Sequence, residues 1–408
     1  MTTYAIIGAG QTAAVAARTL RRRGFDGRIE LIGAEPHPPY QRPPLTKEYL
    51  AAGPDGSDDE LFLLDEQWCA ANDVHLRLGQ RAVRIRPAEW AVDLADGTQV
   101  RADKVLVATG GAARKLPGVR GERVHYLRTL DDANTLRRLI GPGVRLIVIG
   151  AGFIGSEVAA TAHCKGAEVT VIDTLDAPLQ RILGRELGAV CATIHRSNGV
   201  TVRLGEPVES VVEHEDAVIV KTGRARLEGD LVVVGVGITP NIEVAQRSGV
   251  TVDNGILVDE YCRTNVPNIF AAGDVANHYH PLFDELIRVE HFDNATKHGA
   301  AAANNMLGNA TIFDDPHWFW SDQYELNIQH TGHARGWDEL VIRGSVDELD
   351  FCAFYLRESR VRAAFAVDRG ADIAIAKELI SGRVHVAAHR LKDEDVDLAD
   401  LLETEQAW

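Results

Sequence analysis

The sequence lacks paired cysteines. Its five, Cys69, Cys164, Cys191, Cys262 and Cys352, lie far apart with no CxxC or CxxxxC spacing, which excludes a disulfide framework and a zinc ribbon. It lacks any apolar run near the roughly 20 residues that a bilayer span needs. It has no low-complexity tract, and MTTYAIIGAG runs straight into a strand, so no signal peptide is expected and the protein is read as soluble and cytoplasmic. It also lacks a basic excess. The formal net charge of −16 disfavours general nucleic-acid binding, because the phosphate backbone would be repelled, and means that an acidic partner needs a local basic patch. What remains is ordinary globular composition over 408 residues, 45% hydrophobic and 25% charged, enough for two or three domains.

Two stretches repeat one plan. Tyr4-Ala5-Ile6-Ile7 reads as a strand, Gly8-Ala9-Gly10-Gln11-Thr12-Ala13 as a tight turn opening a helix, and Gly24 as the stop of that helix. Ile29–Ile32 is the next strand, with Glu35 just past its end. Gly8 permits the turn, Gly10 lets the backbone approach a pyrophosphate, and Ala13 keeps helix and strand close. The helix N-terminus presents unpaired N–H groups and a positive dipole end to the phosphates, and Glu35 can accept from a ribose. The second copy runs from Arg145–Ile149 through Gly150-Ala151-Gly152-Phe153-Ile154-Gly155 to a helix ending near Gly166 and a strand, Glu168–Ile172. Asp173 closes that strand, 23 residues after Gly150. A carboxylate there bonds the ribose hydroxyls of NAD and repels the extra phosphate of NADP, so NADH is the expected nucleotide. Arg181, a few residues on, is a solvated residue or a contact to the NAD pyrophosphate, the alternative being that it weakens this preference. Two such turns imply two nucleotides bound at once, a tightly held redox cofactor and an exchangeable hydride carrier, with FAD first and NAD second.

Val105–Gly110 and Leu231–Gly237 read as strands ending in small residues, and Ile269–Val275 as a strand closing on a Gly-Asp turn, after which a helix is expected to aim N–H groups at the flavin. The NAD-binding domain, 112–235, is read as inserted into a discontinuous FAD-binding domain, 1–111 and 236–314. From 315 to 408 the pattern changes to strands such as Leu340–Arg343 and Asp350–Leu356, with a helix at Ile373–Ile380, which suggests a C-terminal α+β domain with an antiparallel sheet. The fold class is therefore α/β with two Rossmann-like domains plus that third domain.

Five stretches carry a resemblance: YQRPPLTK (40–47), YLRTLDDA (126–133), GAGFIGSE (150–157), AGDV (272–275) and WFWSDQY (318–324). With them the chain resembles the FAD-dependent, NADH-oxidising ferredoxin reductases of Rieske dioxygenase and bacterial haem-thiolate monooxygenase systems, the putidaredoxin reductase-like group, whose domains follow the glutathione-reductase arrangement. The resemblance implies flavin contacts from Lys47, Val83, Arg128, Asp274, Phe292 and Trp320. With the turns and strand ends, the expected cofactor-binding set is Gly8, Gly10, Thr12, Ala13, Glu35, Arg42, Lys47, Val83, Ala108, Thr109, Gly110, Arg128, Asp274, Val275, Phe292, Trp320, Gly150, Gly152, Phe153, Ile154, Gly155, Asp173, Arg181 and Gly237. Some relatives carry an acid at the position of Ala34, where this chain offers only neighbouring Glu35. Lys47, Glu157 and Trp320 are the expected catalytic residues. Lys47 follows the Pro43-Pro44 helix start, an awkward place for a cation that invites a partner, and Glu157 is the expected one. Trp320 is placed on the electron exit route.

Disulfide-reducing flavoenzymes of this fold carry CxxxxC in the stretch that here reads QRPPLTKEYL, without cysteine. Electrons must then leave the flavin directly, which suits a one-electron acceptor, a 2Fe-2S ferredoxin or a rubredoxin. An apoptosis-inducing-factor-like NADH-responsive switch and an NADH oxidase or small-molecule reductase are the alternatives. His278 and His280 could ligate a metal, but they lack a matching Cys, His or carboxylate set, so no metal is expected. Arg357, Arg360, Arg362 and Arg369 are candidates for a ferredoxin-docking patch.

Overall fold

Thr3–Ile7 is buried at every position, as expected for the middle strand of a parallel sheet covered on both faces. A computed structural model describes residues 1–53 and 59–403, and the domain ranges above also run over 54–58 and 404–408, which lie outside the described residues. The chain forms two compact units. The first gathers residues 1–41, 59–112 and 239–317, the second 42–53, 113–238 and 318–403.

In the first unit a parallel sheet runs in the order Ile269–Ala271, Lys104–Val107, Thr3–Ile7, Arg28–Ile32, Val74–Arg77. Helices Gln11–Arg22 and Phe292–Met306 share a core with it, built from Ala13, Ala14, Ala16, Ala17 and Leu20 on one helix and Ala301, Ala302, Ala303 and Met306 on the other. Small side chains let the two helices approach closely; a Cβ on Gly299 would stand 2.7 Å from the Thr12 carbonyl oxygen. A second core includes Ile85, Val92 and Val100 from the antiparallel strands Ala82–Arg86, Ala91–Leu94 and Gln99–Arg101.

One expectation fails here. After Ile269–Ala271 the chain makes a single 3-10 turn, Gly273–Val275, and then enters another strand, Ala276–His280, not a helix. That strand pairs in parallel with Ile256–Val258 and antiparallel with Glu285–Arg288. The ladder claims its backbone groups, and the next helix of the unit starts only at Phe292.

In the second unit the parallel order is Thr201–Arg203, Glu168–Ile172, Arg145–Ile149, Leu231–Val234, Val124–Tyr126. The expected antiparallel sheet follows residue 317, as Trp318–Gln323, Leu326–Gly332, Arg360–Val367, Asp350–Arg357 and Glu339–Ser345 in spatial order, with helix Gly370–Ser381 packed against it. Helix Gln180–Ser197 packs against the C-terminal sheet. Its Leu183, Leu187, Cys191 and Ile194 share one core with Ile328, Phe351, Tyr355 and Phe365, and the Tyr355 hydroxyl donates to the Leu183 carbonyl at 2.7 Å. Gly184 breaks the helix with φ +77°, a conformation costly for residues with a Cβ. Among the described residues no helix is long and apolar enough to cross a membrane.

Candidate active site

In the first unit, Gly8 sits at φ +131°, where a Cβ would run into the Ala108 carbonyl. At Gly10 a Cβ would meet no atom within 4 Å. Gly10 is the N-cap of Gln11–Arg22 and offers no side chain to its first N–H groups, so an anion can take them. Thr12 and Ala13 are buried directly behind this turn, and Thr12 lies against Gly273, whose Cβ would collide with the threonine hydroxyl. Ala108 is buried; Thr109 donates through Oγ1 to the Asn241 carbonyl at 2.7 Å and accepts at its own carbonyl from Asn241 Nδ2 at 2.9 Å, beside Gly110 at φ +59°. Glu35 accepts from the Tyr40 hydroxyl at 2.5 Å, while Ala34 is exposed. Val83 is half-buried in its strand, Val275 is buried, and Asp274 is half-buried in the 3-10 turn with its carbonyl 3.3 Å from Arg288 Nη1. Phe292 is the first residue of its helix.

In the second unit the glycine turn is tighter. Gly150, at φ +104°, stands against the Gly235 carbonyl, and a Cβ on Gly155 would strike the Gly150 carbonyl. Gly152 caps Phe153–Cys164, and among the described residues only the Gly235 carbonyl, at 3.9 Å, comes within 4 Å of where its Cβ would stand. These observations fit a pyrophosphate drawn up to each helix end: closure where the backbone packs, space where a ligand would lie. Asp173 accepts from the Ala151 N–H of the glycine turn at 2.6 Å with one carboxylate oxygen and from the Leu175 N–H, two residues beyond itself, at 2.8 Å with the other. It therefore holds the turn in shape besides presenting negative charge at the strand end. Phe153 packs edge-to-face on Phe319 with centroids 4.3 Å apart, Ile154 is half-buried, Arg181 is exposed, and Gly237 is at φ +99° with open space beside it.

The same unit holds Lys47. Pro43–Thr46 forms a 3-10 turn and Glu48–Ala51 a short helix, with Lys47 at their junction. Lys47 Nζ lies 2.6 Å from Glu157 Oε2, the two side chains 12% and 8% exposed. Thr46 Oγ1 donates to the same oxygen at 2.5 Å, and Ser321 Oγ donates to Oε1 at 2.7 Å. Gln323, fully buried, donates in turn to Ser321 at 3.1 Å. Lys47 has two longer contacts at 3.3 Å, to the Pro43 carbonyl and Thr46 Oγ1. This is a buried charge pair whose carboxylate is satisfied from three sides, the condition under which such a pair is tolerated. Arg42 donates to the Arg128 carbonyl at 2.6 Å, which ties two more expected residues together. Trp320 stacks on Trp318 at 5.2 Å, with Phe319 between them buried toward the opposite face, as strand alternation requires. Thr46, Ser321 and Gln323 lie within the quoted stretches 40–47 and 318–324 but were given no role in the sequence reading.

The cysteines are all unpaired; only Cys164 is exposed. Burial raises the Cys69 thiol to about 11 and Cys191 to about 12, and pushes Cys262 and Cys352 up as well. None of these four is poised as a thiolate nucleophile. In the folded protein one thiol per chain, that of Cys164, is expected to react promptly with an aromatic disulfide reagent, without loss of NADH-driven turnover. Rapid reaction of a second thiol, or inactivation, would contradict this. Among the proposed docking arginines, Arg369 is bound to Asp350 at 2.8 and 2.9 Å and to Glu394 at 2.8 Å, so its charge is already matched.

Residues 2–299 match the pyridine nucleotide-disulphide oxidoreductase family and residues 318–402 the reductase C-terminal family. Rhodocoxin reductase of Rhodococcus erythropolis is 38% identical over 397 residues, spanning 96% of this chain and 92% of that protein. The ferredoxin–NAD(+) reductase component of the anthranilate 1,2-dioxygenase system of Burkholderia cepacia is 39% identical over 403 residues, spanning 98% and 99%. The crystal structure of the covalent putidaredoxin reductase–putidaredoxin complex superposes with a TM-score of 0.96 at 35% identity, covering 100% of this chain and 99% of that one.

Proposed function

The chain belongs to the pyridine nucleotide-disulphide oxidoreductase family, and from that membership we propose that it passes a hydride from NADH to FAD and then single electrons to a ferredoxin-type iron–sulfur protein that feeds an oxygenase. The observation that carries this reading is the buried Lys47–Glu157 pair in a stretch without cysteine. The family's description includes disulphide chemistry, but the residues at 41–50 supply a fixed cation in its place. FAD, when bound, supplies the conversion between two-electron and one-electron transfer.

On this reading Gly8, Gly10 and the helix end they open take the FAD pyrophosphate, and Glu35 accepts from its ribose. Gly150, Gly152 and Gly155 do the same for the nicotinamide nucleotide. Asp173 keeps that turn closed and disfavours a 2′-phosphate, giving a preference for NADH over NADPH. Lys47 holds positive charge where the reduced cofactor becomes anionic, and Glu157 keeps Lys47 in place. Trp320 lies on the exit route for electrons. Residues 1–111 with 236–314 bind FAD, 112–235 bind NAD, and 315–408 complete the enzyme. Five unpaired thiols suit a reducing compartment, and a cytoplasmic location is part of the reading.

The test is an anaerobic titration of the FAD-loaded protein with NADH and, separately, NADPH, followed by flavin absorbance. Full bleaching near one equivalent of NADH, and slow or absent bleaching with NADPH, is expected, followed by turnover with a 2Fe-2S ferredoxin. A flavin left oxidised by NADH would overturn the reading.

A further inference from the structure

Strand Ala276–His280 carries two histidines on one face, His278 and His280, both buried. The fold brings a third to them, His317, which ends the first unit and is 5% exposed. One ring nitrogen of each lies within 4.8 Å of the others, and the ring centroids are 4.8 to 5.4 Å apart. Phe283 and Phe313 wall the cluster. Among the described residues neither ring nitrogen of His278 has a hydrogen-bond partner, although the residue is 1% exposed. A buried imidazole left so costs free energy unless something binds it.

The neighbouring contacts fix tautomers. His280 Nε2 lies 3.2 Å from the Asp315 carbonyl, an acceptor only. The proton therefore sits on Nε2, and the lone pair is on Nδ1. This backbone bond is of the kind that orients a metal-ligating histidine from behind. His298 packs 4.9 Å from His278 but accepts the Gly273 N–H at Nδ1, so its Nε2 carries a proton and it stays outside the ligand set.

We propose that His278, His280 and His317 form a structural binding site for a divalent transition-metal ion of the zinc class. Three neutral imidazoles without a carboxylate select a borderline cation over magnesium or calcium. With bonds of about 2.0–2.1 Å, tetrahedral ligand nitrogens stand about 3.4 Å apart, so the three rings close in by rotation when the ion enters. Water completes the coordination. Burial holds His278 far below its usual value, in the neutral form that ligates. The ion would tie the strand that follows the Asp274 turn to the segment leading into Trp318, two places the sequence alone does not connect.

The test uses untagged, FAD-loaded protein, dialysed against chelator and then titrated with Zn²⁺ in competition with a chromophoric chelator. One zinc per chain is expected, with a higher thermal midpoint on binding. The double variant His278→Phe/His317→Phe is expected to lose both while keeping its flavin spectrum. Co²⁺ provides a second measurement on the unaltered chain, with intense four-coordinate ligand-field bands to the red of the flavin absorption. Zinc uptake equal in wild type and double variant, or only weak six-coordinate Co²⁺ bands in the wild type, would overturn the site. Both readouts are independent of electron transfer to any ferredoxin.

Discussion

Lys47→Met is expected to slow NADH-driven reduction of the bound flavin by about 10²–10³-fold, the usual loss when one fixed group stabilising developing negative charge is removed. Methionine keeps the packing of the stem and deletes the charge. Stopped-flow anaerobic mixing gives the rate, and a spectroelectrochemical titration gives the flavin potential, which should fall because the anionic reduced form loses its counter-charge. NADH affinity should change little, since the lost interaction belongs to the reduced cofactor and not to the nucleotide. A variant that is reduced at the wild-type rate and potential would remove Lys47 from the mechanism and leave its pairing with Glu157 as architecture.

Glu157→Ala is expected to destabilise the protein by about 3–5 kcal/mol, the range for stripping one partner from a buried ion pair. The carboxylate accepts from Lys47, Thr46 and Ser321 at once, so its loss leaves a buried ammonium and two hydroxyls without their acceptor. For a unit of this size the thermal midpoint should drop by roughly 6–20 °C. Combining it with Lys47→Met, as Lys47→Met/Glu157→Leu, should recover part of the loss, because no buried charge then remains uncompensated. A single-variant loss below about 1 kcal/mol would class the pair with exposed salt bridges.

Much of this arrangement was legible because its signals are local. The two glycine turns announce themselves within six residues each, and Gly150 and Gly155 carry steric reasons that only glycine satisfies. The strand-like segments Leu340–Arg343 and Asp350–Leu356 pointed to the antiparallel sheet, although Asp350–Arg357 is buried at six consecutive positions rather than alternately. The misses are all non-local. After Asp274 the local residues would accept a helix, but pairing with Ile256–Val258 and Glu285–Arg288 makes a strand. Ser321 reaches Glu157, on helix Phe153–Cys164, from a strand of the C-terminal sheet, and Arg369 finds its acids on an adjacent strand and in the C-terminal segment. His317 meets His278 and His280 only through the fold. The grouping of 42–53 with the second unit likewise follows from contacts to residues beyond 110, such as Thr161 Oγ1 donating to the Thr46 carbonyl.

The shared core around helix Gln180–Ser197 sets a timetable for synthesis. Leu183, Leu187, Cys191 and Ile194 are covered by Ile328, Phe351, Tyr355 and Phe365, which the ribosome adds roughly 140–180 residues later. At about 5–20 residues per second that is a delay of about 7–36 s, during which an apolar helix face waits uncovered. The nascent chain is therefore a natural client for a chaperone over that interval. Fragments ending before the last two sheet strands should accumulate as aggregates, even when both glycine turns are intact.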